Sequence, residues 1–231
     1  MRHKTRFFAS LAVALAASAG AAFASGATLK LSLEKTGPGN ALPPENASCI
    51  ATADGRDTPG QNKSPAISWT AGPPATLSYA LTMVDPDVPA DLSLLGKEGT
   101  TIPRDAKRME FTHWILVDIP TSVTRLVEGA DGDGLPKGGL TLETTDHGRR
   151  GQNGFAAFAK DGPNGGYHGP CPPWNDERVH RYRITVYALD TGRLPLPDSF
   201  TREDFLAAVK GHIVATRTAE FNYAINPKAR R

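Results

Sequence analysis

Apolar and polar residues alternate with a period of two at several places along the chain. Leu29, Leu31 and Leu33 are separated by polar residues, the pattern of a strand with one buried face. Ile67-Ser68-Trp69 is a short piece of the same kind, closed by Gly72-Pro73-Pro74. Leu77 to Val84 is almost continuously apolar and suits a central strand. It is expected to end at Asp85-Pro86-Asp87, because Pro86 has no backbone N–H to give to a ladder. Phe111 to Ile119 is the next strand, His180 to Leu189 is the clearest of all, and a last alternation runs through Ala219, Phe221 and Tyr223. Between them, 37–65, 90–110 and 128–173 are rich in Gly, Pro and polar residues and read as irregular. One helix stands out. Thr201 can cap it with Asp204 three residues later, and Phe205, Leu206 and Val209 share a face before Gly211. The pattern predicts a mainly β fold, an antiparallel sheet or two-sheet sandwich with little helix. No long repeat and no linker interrupts 25–231, so one domain is expected there.

Composition narrows this picture. The chain has 231 residues, with 23 Gly and 19 Pro, which favours a loop-rich β domain over a coiled coil or a helical bundle. It carries 26 basic and 24 acidic side chains, but residues 1–24 contain Arg2, Lys4 and Arg6 and no acid, so 25–231 hold 23 basic against 24 acidic. A nearly neutral body lacks the clustered excess of cations that nucleic-acid binding requires. The basic start, the apolar run Phe7 to Ala17 and the ending Ala22-Phe23-Ala24 have the layout of a secretory signal peptide with cleavage after residue 24. The run is too short and too rich in Ala for a membrane span. The mature protein is thus expected to be exported, periplasmic or secreted, with no integral membrane association. Cys49 and Cys171 both remain after cleavage. An oxidising compartment permits their pairing, and the sequence leaves the bond open.

Three strand ends carry polar groups that folding does not demand. Asp85-Pro86-Asp87-Val88-Pro89 follows one strand, His113-Trp114 opens another, and Gly169-Pro170-Cys171-Pro172-Pro173 precedes His180-Arg181-Tyr182. Alternation puts His180, Tyr182, Ile184 and Val186 on one inward face and Arg181 and Arg183 outward. Buried His and Tyr groups need partners, so a polar pocket at the edge of the core is expected.

These segments, with Gly60-Gln61-Asn62-Lys63-Ser64-Pro65 before them and Tyr187-Ala188-Leu189-Asp190 after them, occur in an order that resembles the phosphatidylethanolamine-binding protein family. The resemblance is closest to its bacterial, Raf-kinase-inhibitor-like branch. It implies an antiparallel two-sheet β-sandwich with a few short flanking helices, and a cavity for a small anion such as phosphate or a phosphorylated headgroup. Carried over by motif, the wall comprises Asp85, Asp87, His113, Gly169, Pro170, His180 and Tyr182. Two imidazoles and a phenol can donate to an anion. The aspartates would either orient the histidines or face an ammonium group, and the sequence does not choose between these roles.

No motif asks for a metal or a cofactor. Asp131-Gly132-Asp133-Gly134 opens like a calcium loop but has Leu142 where the closing Glu is needed, and G-x-S-x-G is absent. The leading expectation is a non-enzymatic anion-binding protein. The alternative is a protein-interaction module that inhibits or modulates a protease or another extracytoplasmic partner. A hydrolase acting on a phosphoester through His113, His180 and an Asp is a third reading.

Overall fold

The computed structural model describes residues 28–231; the expected leader and its cleavage site lie outside the described residues. The strands in chain order are β1 (Leu31–Leu33), β2 (Cys49–Ala51), β3 (Asp57–Pro59), β4 (Ile67–Trp69), β5 (Ser78–Pro89) and β6 (Arg108–Pro120). After them come β7 (Arg125–Leu126), β8 (Thr144–Thr145), β9 (Gly148–Arg150), β10 (His180–Leu189), helix α1 (Arg202–Ala208) and β11 (Ile213–Tyr223). A six-stranded sheet in the order β11-β10-β5-β6-β9-β8 faces a three-stranded sheet β1-β4-β7, and β2 and β3 form a hairpin of their own. All named pairings are antiparallel. The chain is mainly β, as its periodicity predicts.

Two cores explain why the β5 segment is apolar without alternation. Between the sheets, Tyr79, Leu81, Met83, Trp114 and Ile184 pack against Ile67, Trp69 and Leu126. On the opposite face of the large sheet, Ala80, Ile115 and Val117 lie under Phe200, Phe205 and Val209. Strands β5 and β6 are therefore covered on both faces. Thr201 caps α1 with Asp204 in a reciprocal capping box, and Phe205 and Val209 face the core as expected. Leu206 does not, being 40% exposed.

Pro86 does not end its strand. β5 continues to Pro89, and the register against β6 shifts between Asp85↔Phe111 and Val88↔Met109. The extra residue of this bulge lets Pro86 pass without giving a ladder hydrogen bond. Pairing of β5 with β10 reaches only Val84, so no partner on that side needs the missing donor. The segments read as irregular also hold the short strands β2, β3, β8 and β9. Cys49 and Cys171 are joined in a disulfide that closes 122 residues of sequence separation, which resolves the pairing left open above.

Candidate functional site

Two bulges lie side by side where β5 and β6 meet. One is that around Pro86 and Asp87. The other is on β6, where Met83↔Trp114 is followed by Val84↔Thr112, leaving His113 as the unpaired extra residue. Bulges re-aim side chains at the ends of ladders, and here they bring Asp85 and His113 to the floor of one cavity. Alternation along β10 brings His180 and Tyr182 to the same floor. The cavity has a volume of about 350 Å³, and these four are its polar wall.

The hydrogen bonds decide what each group can offer. His113 Nδ1 lies 2.7 Å from the His168 carbonyl. A carbonyl only accepts, so Nδ1 carries the proton in the neutral ring, and Nε2 is left as a lone pair on the cavity. The His168 N–H returns a 3.0 Å bond to the His113 carbonyl, locking the two segments together. Burial pulls the His113 imidazolium down, only partly offset by the charge of Asp85. Burial also holds His168, stacked on Phe155 at 3.5 Å between centroids, down at about 3. Both rings are neutral at ordinary pH.

His180 is the opposite case. Its Nδ1 donates to Asp85 Oδ2 at 2.7 Å and its Nε2 to Asp176 Oδ2 at 3.1 Å. Burial lowers its pKa, but the hydrogen bonds and charges of Asp176 and Asp85 outweigh that and raise it to about 9. It is a buried imidazolium between two carboxylates. Neither ring nitrogen is free for a ligand, so the expected pair of donating imidazoles reduces to His113. Asp85 is equally committed, since its Oδ1 accepts the Asp87 N–H at 2.7 Å. The Tyr182 phenol lies by Asp85, and burial, that negative charge and a hydrogen bond to Asp85 push its pKa well above 10. It stays protonated, with its one hydroxyl proton directed at Asp85.

The remaining wall residues named from sequence sit elsewhere. The Asp87 carboxylate turns away from the cavity and takes Arg178 Nη1 at 2.9 Å, with Arg181 Nε and Nη2 at 2.8 and 2.9 Å. Burial raises its pKa, and these guanidinium bonds outweigh that and hold it well below 3.8. The residue is on the far side of the bulge, where Arg178, just before β10, and the outward Arg181 of β10 are the available partners. Gly169 and Pro170 stand behind the wall. Gly169 N–H donates to Asn62 Oδ1 at 2.7 Å, Ser48 Oγ to the Gly169 carbonyl at 2.9 Å, and Ser48 N–H to the Pro170 carbonyl at 3.0 Å. A Cβ at Gly169 would lie 2.3 Å from the Asn46 carbonyl oxygen, so only glycine fits. The next residues, Cys171, Pro172 and Pro173, do face the cavity.

Sequence reasoning missed Asp176, His168 and Arg108. Arg108 Nη1 donates to Asp176 Oδ2 at 2.5 Å, and Arg108 together with His180 holds the Asp176 carboxyl below its ordinary value against the effect of burial. Asp176 sits in a polar segment without periodicity, and nothing local marks it. His168 immediately precedes the Gly169-Pro170 motif, yet its contribution comes from its backbone carbonyl, which no side-chain reasoning points to.

Comparison with known proteins agrees with this geometry. The phosphatidylethanolamine-binding protein family matches residues 32–224. A UPF0098 protein of Methanothermobacter thermautotrophicus is 34% identical over 156 residues, 67% of this chain and 78% of its own. The UPF0098 protein YbcL of Escherichia coli is 32% identical over 140 residues, 59% of this chain and 58% of its own. Among solved structures, the phosphatidylethanolamine-binding protein homologue CT736 of Chlamydia trachomatis superposes with a TM-score of 0.57 at 26% identity, over 85% of this chain and 97% of its own. The crystal structure of YbcL has the same fold, with a TM-score of 0.60 at 24% identity over 86% and 99% of the two chains. With a family match across nearly all of the described sheets and the family's motif residues Asp85, His113, His180 and Tyr182 on one cavity floor, the chain belongs to the phosphatidylethanolamine-binding protein family.

Proposed function

We propose that this protein is an exported, non-catalytic receptor for a small anion, of the phosphate or phosphorylated-headgroup kind. The observation that carries the reading is the unpartnered His113 Nε2 next to the Tyr182 ring, 5.3 Å between centroids, on the floor of the cavity. The phenol donates to an oxyanion by turning its one proton away from Asp85. The imidazole accepts from an acidic P–OH, or takes up a proton and then donates. The fixed charges of the floor, Asp85 and His180, neutralise each other, so the site favours a singly charged anion brought in with a proton.

Two further features support the reading. The cavity wall has no serine, threonine or lysine side chain, Cys171 is held in the disulfide, and both oxygens of Asp85 are engaged by the Asp87 N–H and His180, so His113 is the one group there that keeps a free nitrogen lone pair. A disulfide, joined to the leader read from the sequence, suits an oxidising compartment outside the cytoplasm.

Calorimetric titration with inorganic phosphate between pH 5.5 and 8 tests the proposal. Affinity is expected to rise as pH falls, with up to one proton taken up per anion, and His113→Ala is expected to abolish binding. Unchanged binding by His113→Ala would refute the assignment of the anion to this floor. Turnover of a phosphoester lost in the same variant would overturn the non-catalytic reading.

A further inference from the structure

One wall of the cavity is almost free of backbone hydrogen bonds. Cys171, Pro172 and Pro173 line it, and Trp174 follows them in the chain. Pro172 and Pro173 have no N–H to donate. Among the described residues, the main chain of 171–174 takes part in a single hydrogen bond, from the Asp176 N–H to the Pro173 carbonyl at 3.0 Å, and that bond is local. Both ends of the span are fixed. The Pro170 carbonyl accepts from the Ser48 and Cys49 N–H groups at 3.0 and 3.3 Å. At the other end, buried Asn175 donates from Nδ2 to the carbonyls of Leu94 and Thr100, at 3.0 and 2.9 Å, and accepts the Gly96 N–H at 3.0 Å.

Between these ends two side-chain ties hold the wall. Cys171 is bonded to Cys49, and the Arg56 guanidinium lies 4.1 Å above the Trp174 ring while it pairs with Glu98. Cys49 and Arg56 belong to one unit, β2 and the turn into β3, a hairpin that pairs with neither larger sheet. Arg56 is 40% exposed, and a cation over a ring is weak in that setting, so the disulfide is the principal tie. A segment with so few backbone hydrogen bonds has low local stability once its tie is cut. Both cysteines are half-buried, and partly exposed disulfides are the ones open to thiol exchange. Neither cysteine belongs to the two hydrophobic cores, so the bond can open while the sheets stay packed.

We propose that the Cys49–Cys171 disulfide is a redox latch on the anion cavity, closed in the oxidised protein and released by a dithiol such as that of a thiol–disulfide oxidoreductase. One thiolate of the dithiol attacks a sulfur of the bridge, the S–S bond breaks, and a mixed disulfide forms. The second thiol of the reductant then displaces the protein sulfur. The dithiol leaves as its own disulfide, having given two electrons, and Cys49 and Cys171 each end as a protonated thiol. The wall 171–174 is then held at its ends and by Arg56 alone, and a bound anion has to supply the ordering that the disulfide supplied before. The proposal rests on the anion-binding reading above and gives that site its regulation.

The test compares oxidised protein with protein reduced by dithiothreitol, freed of reductant without oxygen, and shown by thiol titration to carry both free cysteines. Inorganic phosphate is titrated into each by calorimetry at pH 6. Reduced protein is expected to bind at least about tenfold more weakly, the cost of ordering a short wall on binding. The double variant Cys49→Ser/Cys171→Ser should bind as weakly as reduced protein and be unaffected by dithiol. Acrylamide quenching reports the wall itself. Trp69 and Trp114 are 5% and 0% exposed, so a rise in quenching on reduction should come from Trp174 and disappear in Trp174→Phe. The reduced protein is expected to keep a cooperative thermal transition at a lower Tm. Reduced protein that stays folded and binds phosphate as tightly as the oxidised form would refute the latch and leave the anion-binding reading standing. Loss of the cooperative transition on reduction would make the disulfide a staple of the whole fold, and would refute the latch as well. If the oxidised protein binds no phosphate, the anion-binding reading itself is lost, and this proposal with it.

Discussion

Replacing Asp176 with Asn tests whether His180 is a permanent imidazolium. In the folded protein His180 is 1% exposed, between Asp85 at 2.7 Å and Asp176 at 3.1 Å. Raising an imidazole from 6.5 to about 9 corresponds to about 3 kcal/mol of preference for the charged form. The lowered pKa of Asp176 is in part the same interaction seen from the other partner, and it is not counted again. The folded pKa is above the unfolded one, so this stabilisation is complete below pH 6.5 and is lost as pH rises through about 9. Asp176→Asn keeps the shape and removes one charge from His180 and from Arg108. The expected cost at pH 7 is about 3 kcal/mol, at the lower end for breaking a buried pair because the Asn oxygen still accepts. Urea unfolding at pH 6, 7, 8 and 9 reads the stability, and imidazole-detected NMR reads the titration. In the variant, the His180 pKa should fall by about one or more, and the decline in stability between pH 7 and 9 should become shallower. A wild-type His180 that titrates near 6.5, or a pKa unmoved by the substitution, would refute the reasoning.

Three other variants test separate parts of the frame. Gly169→Ala places a methyl 2.3 Å from the Asn46 carbonyl oxygen and 2.9 Å from Ser48 N, so the wall must shift; a loss of about 1–3 kcal/mol is expected in chemical unfolding, along with weaker phosphate binding. Replacing both Cys49 and Cys171 by Ser frees a separation of 122 residues, and chain entropy sets the loss at up to about 5 kcal/mol; a midpoint change of a few tenths would contradict it. Thr201→Ala removes one half of the capping box on α1 and should lower stability by about 1 kcal/mol, without any effect on anion binding.

What could be read from the sequence follows from where the physics is local. The period of two showed β10 and placed His180 and Tyr182 inward, because burial of one face leaves its mark on every second residue. Thr201 and Asp204 announced the start of α1 for the same reason, since a cap is a contact across three residues. The bulge that exposes His113 to the cavity leaves no trace of that kind. It depends on the register between β5 and β6, and the same register sends Asp87 out to Arg178 and Arg181 instead of into the cavity. Asp176 reaches His180 because the 175–177 segment pairs with Ile102, through Ile102 N–H to the Asn175 carbonyl and Glu177 N–H to the Ile102 carbonyl, at 2.9 and 3.1 Å. That is a contact between distant, aperiodic segments. Phe155 and Phe158 fell within a stretch read as irregular, where a short 3-10 turn capped by Asn153 delivers them to the mouth. The motif resemblance located the pocket, and the division of labour within it required the hydrogen bonds.

The central claim is that the anion meets His113 while His180 remains a structural cation. Nitrogen-15 NMR of the imidazole side chains at pH 7, with and without saturating phosphate, tests this directly. Without phosphate, His113 should show the neutral Nδ1–H tautomer and His180 both nitrogens protonated. With phosphate, His113 Nε2 should move to the protonated or strongly hydrogen-bonded range while His180 stays as it was. An unchanged His113, or a response confined to His180, would contradict the account.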